Sequence, residues 1–134
     1  RQVIVDASAA VPVLVDHPLA ARARSVLVGR DLAAPALVLT ETANALWKYA
    51  SRGGMEAEQI NAGIRHIRAV IQTVPDESLL EQAVQLATAN RHPVYDCLYL
   101  ALALERREPL ATADRRMAAL ARQLAIETEL IEAE

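Results

Sequence analysis

Cysteine is almost missing from this chain of 134 residues: Cys97 stands alone, so no intrachain disulfide frames the fold. Phenylalanine is absent, and aromatic residues make up 3% of the chain. That is too few for the extended aromatic platforms on which many proteins stack single-stranded bases, so RNA contact is expected to rest mainly on backbone charge and metal. No apolar run is long enough to span a bilayer. There is no Gly-rich phosphate loop and no Gly-x-Ser-x-Gly nucleophile elbow. His17, His66 and His92 lack the spacing of a metal-binding pair and read as surface or helix-end residues. A net charge of −3 weighs against a protein that coats nucleic acid through a broad basic face. It leaves room for a nuclease, because an acidic metal site subtracts charge locally. Lysine is nearly absent too, with 13 Arg to the one Lys48. Arginine makes planar, bidentate contacts with phosphate, although codon bias explains such a ratio equally well. The lone cysteine and the lack of an apolar leader before the first strand lead us to expect a cytoplasmic protein. A start at Arg1 rather than Met is what a trimmed chain would show.

What is present is apolar: 53% of residues, enough for one core without staples. The length suits a single domain over residues 1–134. Val3-Ile4-Val5 reads as a buried parallel strand that stops at Asp6. Ser8 fits the N-cap of a helix through Val15, with Pro12 near its first turn. Further helices are expected over Leu19–Val28, Leu37–Ser51, Glu56–Arg68, Glu77–Asn90, Val94–Arg106 and Arg115–Leu124. The Leu37–Ser51 helix carries an apolar stripe of Leu39, Ala43, Leu46 and Ala50 and ends at Gly53-Gly54. The Glu77–Asn90 helix turns Leu80, Ala83, Val84 and Ala87 inward. From Cys97 to Leu104 the chain is apolar on every side, as a buried helix is. Short strands fit Leu32–Ala34, Val70–Val74, Leu110–Thr112 and Thr128–Ile131. Strands alternating with helices predict an α/β fold around a parallel sheet.

Two acids stand out by position. Asp6 follows the first strand, and Asp114 follows the strand ending at Thr112, where open parallel sheets bind their ligands. Asp114 fits equally well as the N-cap of the helix at Arg115, and Asp6 as a turn residue helping the Ser8 cap. Asp96, in the first turn of the buried helix, suits the helix dipole or a cleft opening there. Tyr95 beside it is a possible hydrogen-bonding neighbour. Glu41 shares a helix face with Leu37, Asn44 and Lys48 and would ordinarily be solvated. Taken together, the four acids offer hard oxygen donors that suit Mg²⁺ or Mn²⁺ rather than Zn²⁺. They are separated by 35, 55 and 18 residues, so only the fold can unite them.

Val3-Ile4-Val5-Asp6-Ala7-Ser8-Ala9 resembles the opening motif of PIN domains. Glu41-Thr42-Ala43-Asn44-Ala45-Leu46 resembles their second motif, the run from Tyr95 to Ala103 their third, and Thr112-Ala113-Asp114 their fourth. The order and spacing hold over nearly the whole chain, and the pattern is most similar to VapC-type toxins of toxin–antitoxin pairs. The resemblance implies a three-layer α/β/α sandwich and an endoribonuclease acting on RNA. It implies Asp6, Glu41, Asp96 and Asp114 as an acidic cluster for Mg²⁺ or Mn²⁺, supported by Ser8 and Thr112 and lined by Asn44. A homodimer and an inhibitory antitoxin follow from the same likeness. The surplus of Ala, Leu and Ile from Leu37 to Ile67 is the expected dimer surface. Two rivals remain open at this point: phosphoryl transfer through an aspartyl-phosphate at Asp6, and a non-catalytic module whose acids bind a basic peptide.

Overall fold

The computed structural model describes residues 1–133; Glu134, the last residue of the expected domain, lies outside the described residues. Five parallel strands form one sheet: β1 (Gln2–Val5), β2 (Asp31–Pro35), β3 (Ile71–Val74), β4 (Leu110–Thr112) and β5 (Thr128–Leu130), in the order β3-β2-β1-β4-β5. Seven α-helices connect them: α1 (Ala7–Ala10), α2 (Ala20–Leu27), α3 (Leu37–Ser51), α4 (Ala57–Val70), α5 (Leu80–Asn90), α6 (Val94–Arg106) and α7 (Arg115–Gln123). Because crossovers are right-handed, connections running from β1 toward β3 lie on one face. Those running back toward β5 lie on the other, which gives three layers. The packing agrees: α3 lies against α1 and α4, whereas α5 lies against α6.

The sheet reverses direction between β1 and β4, and such a reversal opens a crevice beyond the carboxyl ends of the two strands. Val3, Ile4, Val5, Leu110 and Ala111 are fully buried, so the two strands that frame the crevice are also the centre of the core. Helix α6 packs across β1, β2 and β4 on one side and against α5 on the other. Its residues Cys97 to Ala103 are accordingly buried without a break, as the all-round apolar sequence requires. Among the described residues no helix is long and apolar enough to cross a membrane.

Several local expectations are corrected. The N-cap of the first helix is Asp6, not Ser8: the Asp6 carboxylate accepts from Ala9 N at 3.1 Å. That helix runs only to Ala10, because the chain tightens into a 3₁₀ turn at Val11–Val13 around Pro12. Pro35 belongs to β2 as its last residue, and the ladder continues from Ala36 N to Val74 O at 2.8 Å. On α3 Leu46 is fully buried as expected, but the row it belongs to runs through Val38 and Thr42, while Leu39, Ala43 and Ala50 are half-buried. On α5, Leu80 and Val84 face outward; Leu79 and Ala83 point in, because the helix seats its small side against α6. Within the Leu37–Ile67 stretch expected to form a dimer surface, Trp47 is the one exposed large apolar residue.

Candidate active site

The turn after β1 and the turn after β4 are tied together through one carboxylate. Asp6 is 4% exposed, and both of its oxygens are engaged. Oδ1 accepts from Ser8 Oγ at 2.7 Å and Ala9 N at 3.1 Å; Oδ2 accepts from Thr112 Oγ1 at 2.6 Å. Each hydroxyl has one proton and gives it to Asp6. Ser8 and Thr112 approach to 3.2 Å as two oxygens, each left to accept. They accept from the following turn: Ala113 N donates to Ser8 Oγ at 2.8 Å and Asp114 N to Thr112 Oγ1 at 3.0 Å. Three donors converging on Asp6 suit its ionised form. Burial nonetheless dominates and raises it from its ordinary 3.8 to about 6; the three hydrogen bonds pull it down, and the Asp114 charge pushes it up.

Asp114 caps α7, with Oδ1 accepting from Arg116 N at 2.8 Å and Met117 N at 3.1 Å. Its Oδ2 has no partner among the described residues. The capping role weighed for Asp114 is therefore real, and it fixes the carboxylate instead of consuming it. Asp96 accepts at Oδ2 from His92 Nε2 at 2.7 Å, four residues earlier across the start of α6, and its Oδ1 is unpaired. Glu41 accepts at Oε1 from Tyr99 Oη at 2.6 Å, with Oε2 unpaired. Burial raises Glu41 above its ordinary value; the Tyr99 bond opposes that, and the charges of Asp96 and Asp76 add to it. Burial and the neighbouring Glu41 also push the Tyr99 hydroxyl far up, so it stays a donor.

All four acids line one cavity of about 260 Å³ at the carboxyl end of the sheet, together with Ser8, Asn44 and Lys48. Thr112 sits behind it, fully buried. Asp6 and Asp114 come from the sheet's point of reversal, Glu41 from α3 and Asp96 from α6. The second oxygens of Glu41, Asp96 and Asp114 are solvent-accessible, since Thr42 Oγ1 is the one buried side-chain polar atom lacking a partner among the described residues. In that set no group of three or more His, Cys, Asp or Glu side chains is arranged to hold a metal ion. The arrangement is an open one: hard oxygen donors around a wet cleft, as Mg²⁺ prefers, since it keeps several waters and needs only one or two carboxylates. Burial pushes the Cys97 thiol up to about 11, which removes it as a ligand or nucleophile near neutrality.

Three residues escaped the sequence reading. His92 and Tyr99 orient two of the acids, and Lys48 brings the cavity a cation. The His92–Asp96 spacing of four residues gave no helix-face signal, because His92 precedes the Pro93 cap and only the turn into α6 brings the two together. Tyr95 is not the neighbour of Asp96; it is 64% exposed, and the inward tyrosine is Tyr99.

Comparison with known proteins follows the same line. The family model described as PIN domain matches residues 3–123. Ribonuclease VapC3 of Pyrobaculum aerophilum is 31% identical over 121 residues, spanning 87% of this chain and 92% of its own. Among solved structures, the sarcin–ricin-loop-cleaving toxin VapC20 of Mycobacterium tuberculosis superposes with a TM-score of 0.71 at 17% identity, over 87% of this chain and 93% of that one. VapBC2 of Rickettsia felis, bound to a DNA fragment from its promoter, gives 0.70 at 14% identity over 98% and 100%. At those identities the two structures speak for the fold alone.

Proposed function

The chain belongs to the PIN domain family, and on that premise we propose that it is an Mg²⁺- or Mn²⁺-dependent endoribonuclease, the toxin of a type II toxin–antitoxin pair. The observation that carries the reading is the cavity in which Asp6, Glu41, Asp96 and Asp114 meet, three of them with an oxygen free. Asp6, Asp96 and Asp114 are the metal-holding set. A divalent ion held there would supply Lewis-acid polarisation of a phosphoryl oxygen and a more acidic bound water. Glu41 completes the shell or orients the attacking water, held by Tyr99. His92 is a positioning residue that fixes the Asp96 carboxylate, as outer partners of metal ligands do. Lys48 and Asn44 line the approach and steady the phosphate. The identity to a ribonuclease over most of both chains supports the activity.

An antitoxin partner is proposed by analogy with the Rickettsia felis complex, and a homodimer because Trp47, Leu80 and Val84 remain exposed. Phosphoryl transfer through Asp6 draws no support: the matched relative is a ribonuclease, and Ser8, two positions on, serves as a hydrogen-bond donor to Asp6 where such chemistry needs an acid for the leaving group. A peptide-binding module would not need three unpaired oxygens around one cavity.

The test is incubation of purified, partner-free protein with total cellular RNA in Mg²⁺ or in chelator, followed by mapping of new ends. Discrete cleavage that disappears in chelator is expected. No cleavage with either Mg²⁺ or Mn²⁺ would refute the nuclease, and cleavage that persists in chelator would refute the metal.

A further inference from the structure

A second cavity, of about 360 Å³, adjoins the acidic one and shares Ala7, Ser8, Ala45 and Lys48 with it. Its volume lies within the ~300–1,000 Å³ typical of small-ligand sites. One wall is the 3₁₀ turn after α1, which contributes Val11 and Pro12, with Leu19 beyond it. The other is the last two turns of α3, which contribute Lys48, Tyr49 and Arg52. The floor is apolar and the rim is cationic. Lys48 and Arg52 stand four residues apart, about 6 Å along the helix axis. Neither enters any ion pair among the described residues. His17 closes the rim in a fixed tautomer: Leu19 N donates to its Nδ1 at 3.0 Å, which leaves Nε2 as the ring donor.

We propose that this groove seats the nucleobase next to the scissile phosphate, with Tyr49 against the base and Lys48 and Arg52 against the flanking phosphates. The proposal rests on the ribonuclease reading above. A phosphate held at the acids carries a ribose and a base, and the adjoining space must receive one of them. The apolar floor and the single aromatic suit the face of one base. The cations one turn apart suit successive phosphates of an extended strand. The chain's one lysine sits where the two cavities join. A strand entering past Arg52 therefore meets positive charge first, an apolar slot next and the acids last.

Binding of a fluorescein-labelled single-stranded RNA of about ten nucleotides, followed by anisotropy in chelator, separates this from catalysis. Tyr49→Leu keeps the apolar bulk and removes the ring; it is expected to weaken binding about tenfold. Arg52→Ala should lower the slope of log K against log salt by about 0.7, one phosphate contact on a single strand. A strand with one abasic ribose at the sensitive position should bind the wild type about tenfold more weakly and lose its sensitivity to Tyr49→Leu. Mn²⁺ affinity in calorimetric titration, which reads only the acids, should be unchanged in both variants. Wild-type RNA affinity and salt slope in both variants would overturn the proposal while leaving the nuclease standing. A wild type that neither binds nor cleaves RNA would remove the function and this inference together. Intact RNA binding with loss of inhibition by the antitoxin would assign the groove to protein, and that also overturns it. Arg52 is exposed, so its variant remains informative even if Tyr49→Leu fails to fold.

Discussion

Asp6→Asn should make the metal-free protein more stable while abolishing activity. Raising a buried aspartate from 3.8 to about 6 costs its ionised form about 3 kcal/mol at neutral pH, at ~1.36 kcal/mol for each tenfold change in proton affinity. Below the ordinary value, folded and unfolded chains are both protonated and no penalty exists. Between 3.8 and about 6 the folded chain holds a proton the unfolded chain has released, so stability falls as pH rises; above 6 the loss is complete. Asparagine carries no charge and escapes that loss. It has one carbonyl oxygen for the three donors Ser8, Ala9 and Thr112, which costs about 1–2 kcal/mol of hydrogen bonding. The remainder is a gain of about 1–2 kcal/mol, or roughly 3–6 °C in Tm for a domain of this size. Scanning calorimetry in chelator should show the gain near pH 7.5 and its loss, or reversal, near pH 4. Mn²⁺ should raise the Tm of the wild type and leave the variant unmoved. A variant that melts no higher than wild type near pH 7.5, or a difference that ignores pH, would refute the reasoning.

Tyr99→Phe removes the donor that holds Glu41 down. The acid limb of kcat/KM against pH should move upward, with activity near pH 6 falling about threefold to tenfold; an unmoved limb would show that Glu41 does not titrate in turnover. His92→Ala should weaken Mn²⁺ binding by about 10–100-fold in calorimetric titration with little change in Tm, and unchanged affinity would reduce His92 to a structural neighbour of Asp96. The antitoxin is expected to place an Arg among the four acids, where a guanidinium can bridge carboxylates. Its Arg→Ala variant should release RNA cleavage as Mg²⁺ rises, and full inhibition at every Mg²⁺ concentration would show that other contacts do the blocking. Light scattering should give a dimer mass at micromolar concentration, and a monomer would remove the homodimer.

The sheet and its acids were legible because their signals are local or positional. Val3-Ile4-Val5 announces a buried strand, and an acid ending it points to the carboxyl edge. The unbroken apolar run of α6 announces its place at the centre. Details set by what lies opposite were not legible. Leu46 on α3 and Ala83 on α5 point inward as expected, but Leu80 and Val84 face out, and Val38 and Thr42 take the inward places expected for Leu39 and Ala43. A helix with apolar residues around more than half its circumference leaves its rotation to its neighbours. Tyr99 lies within that apolar run and gives no hint of its bond to Glu41, 58 residues away. The Ser8 cap failed because Asp6 and Ser8 are both good caps, and only the fold decides which one turns toward the free N–H.

The latch between the two turns also has a timetable. Thr112 closes on Asp6 and Ser8 across separations of 106 and 104 residues, and β4 must slot in beside β1, which already pairs with β2 on its other side. A ribosome making this chain releases β1, α1, β2 and most helices first, and none of them alone holds the cleft. Three of the four acids can be present while Asp6 still lacks the Thr112 donor and Asp114 has no helix to cap. The cleft therefore comes into being only after Thr112 and the start of α7 have left the ribosome, and a nascent chain stopped short of them carries three acids without the latch that orders them.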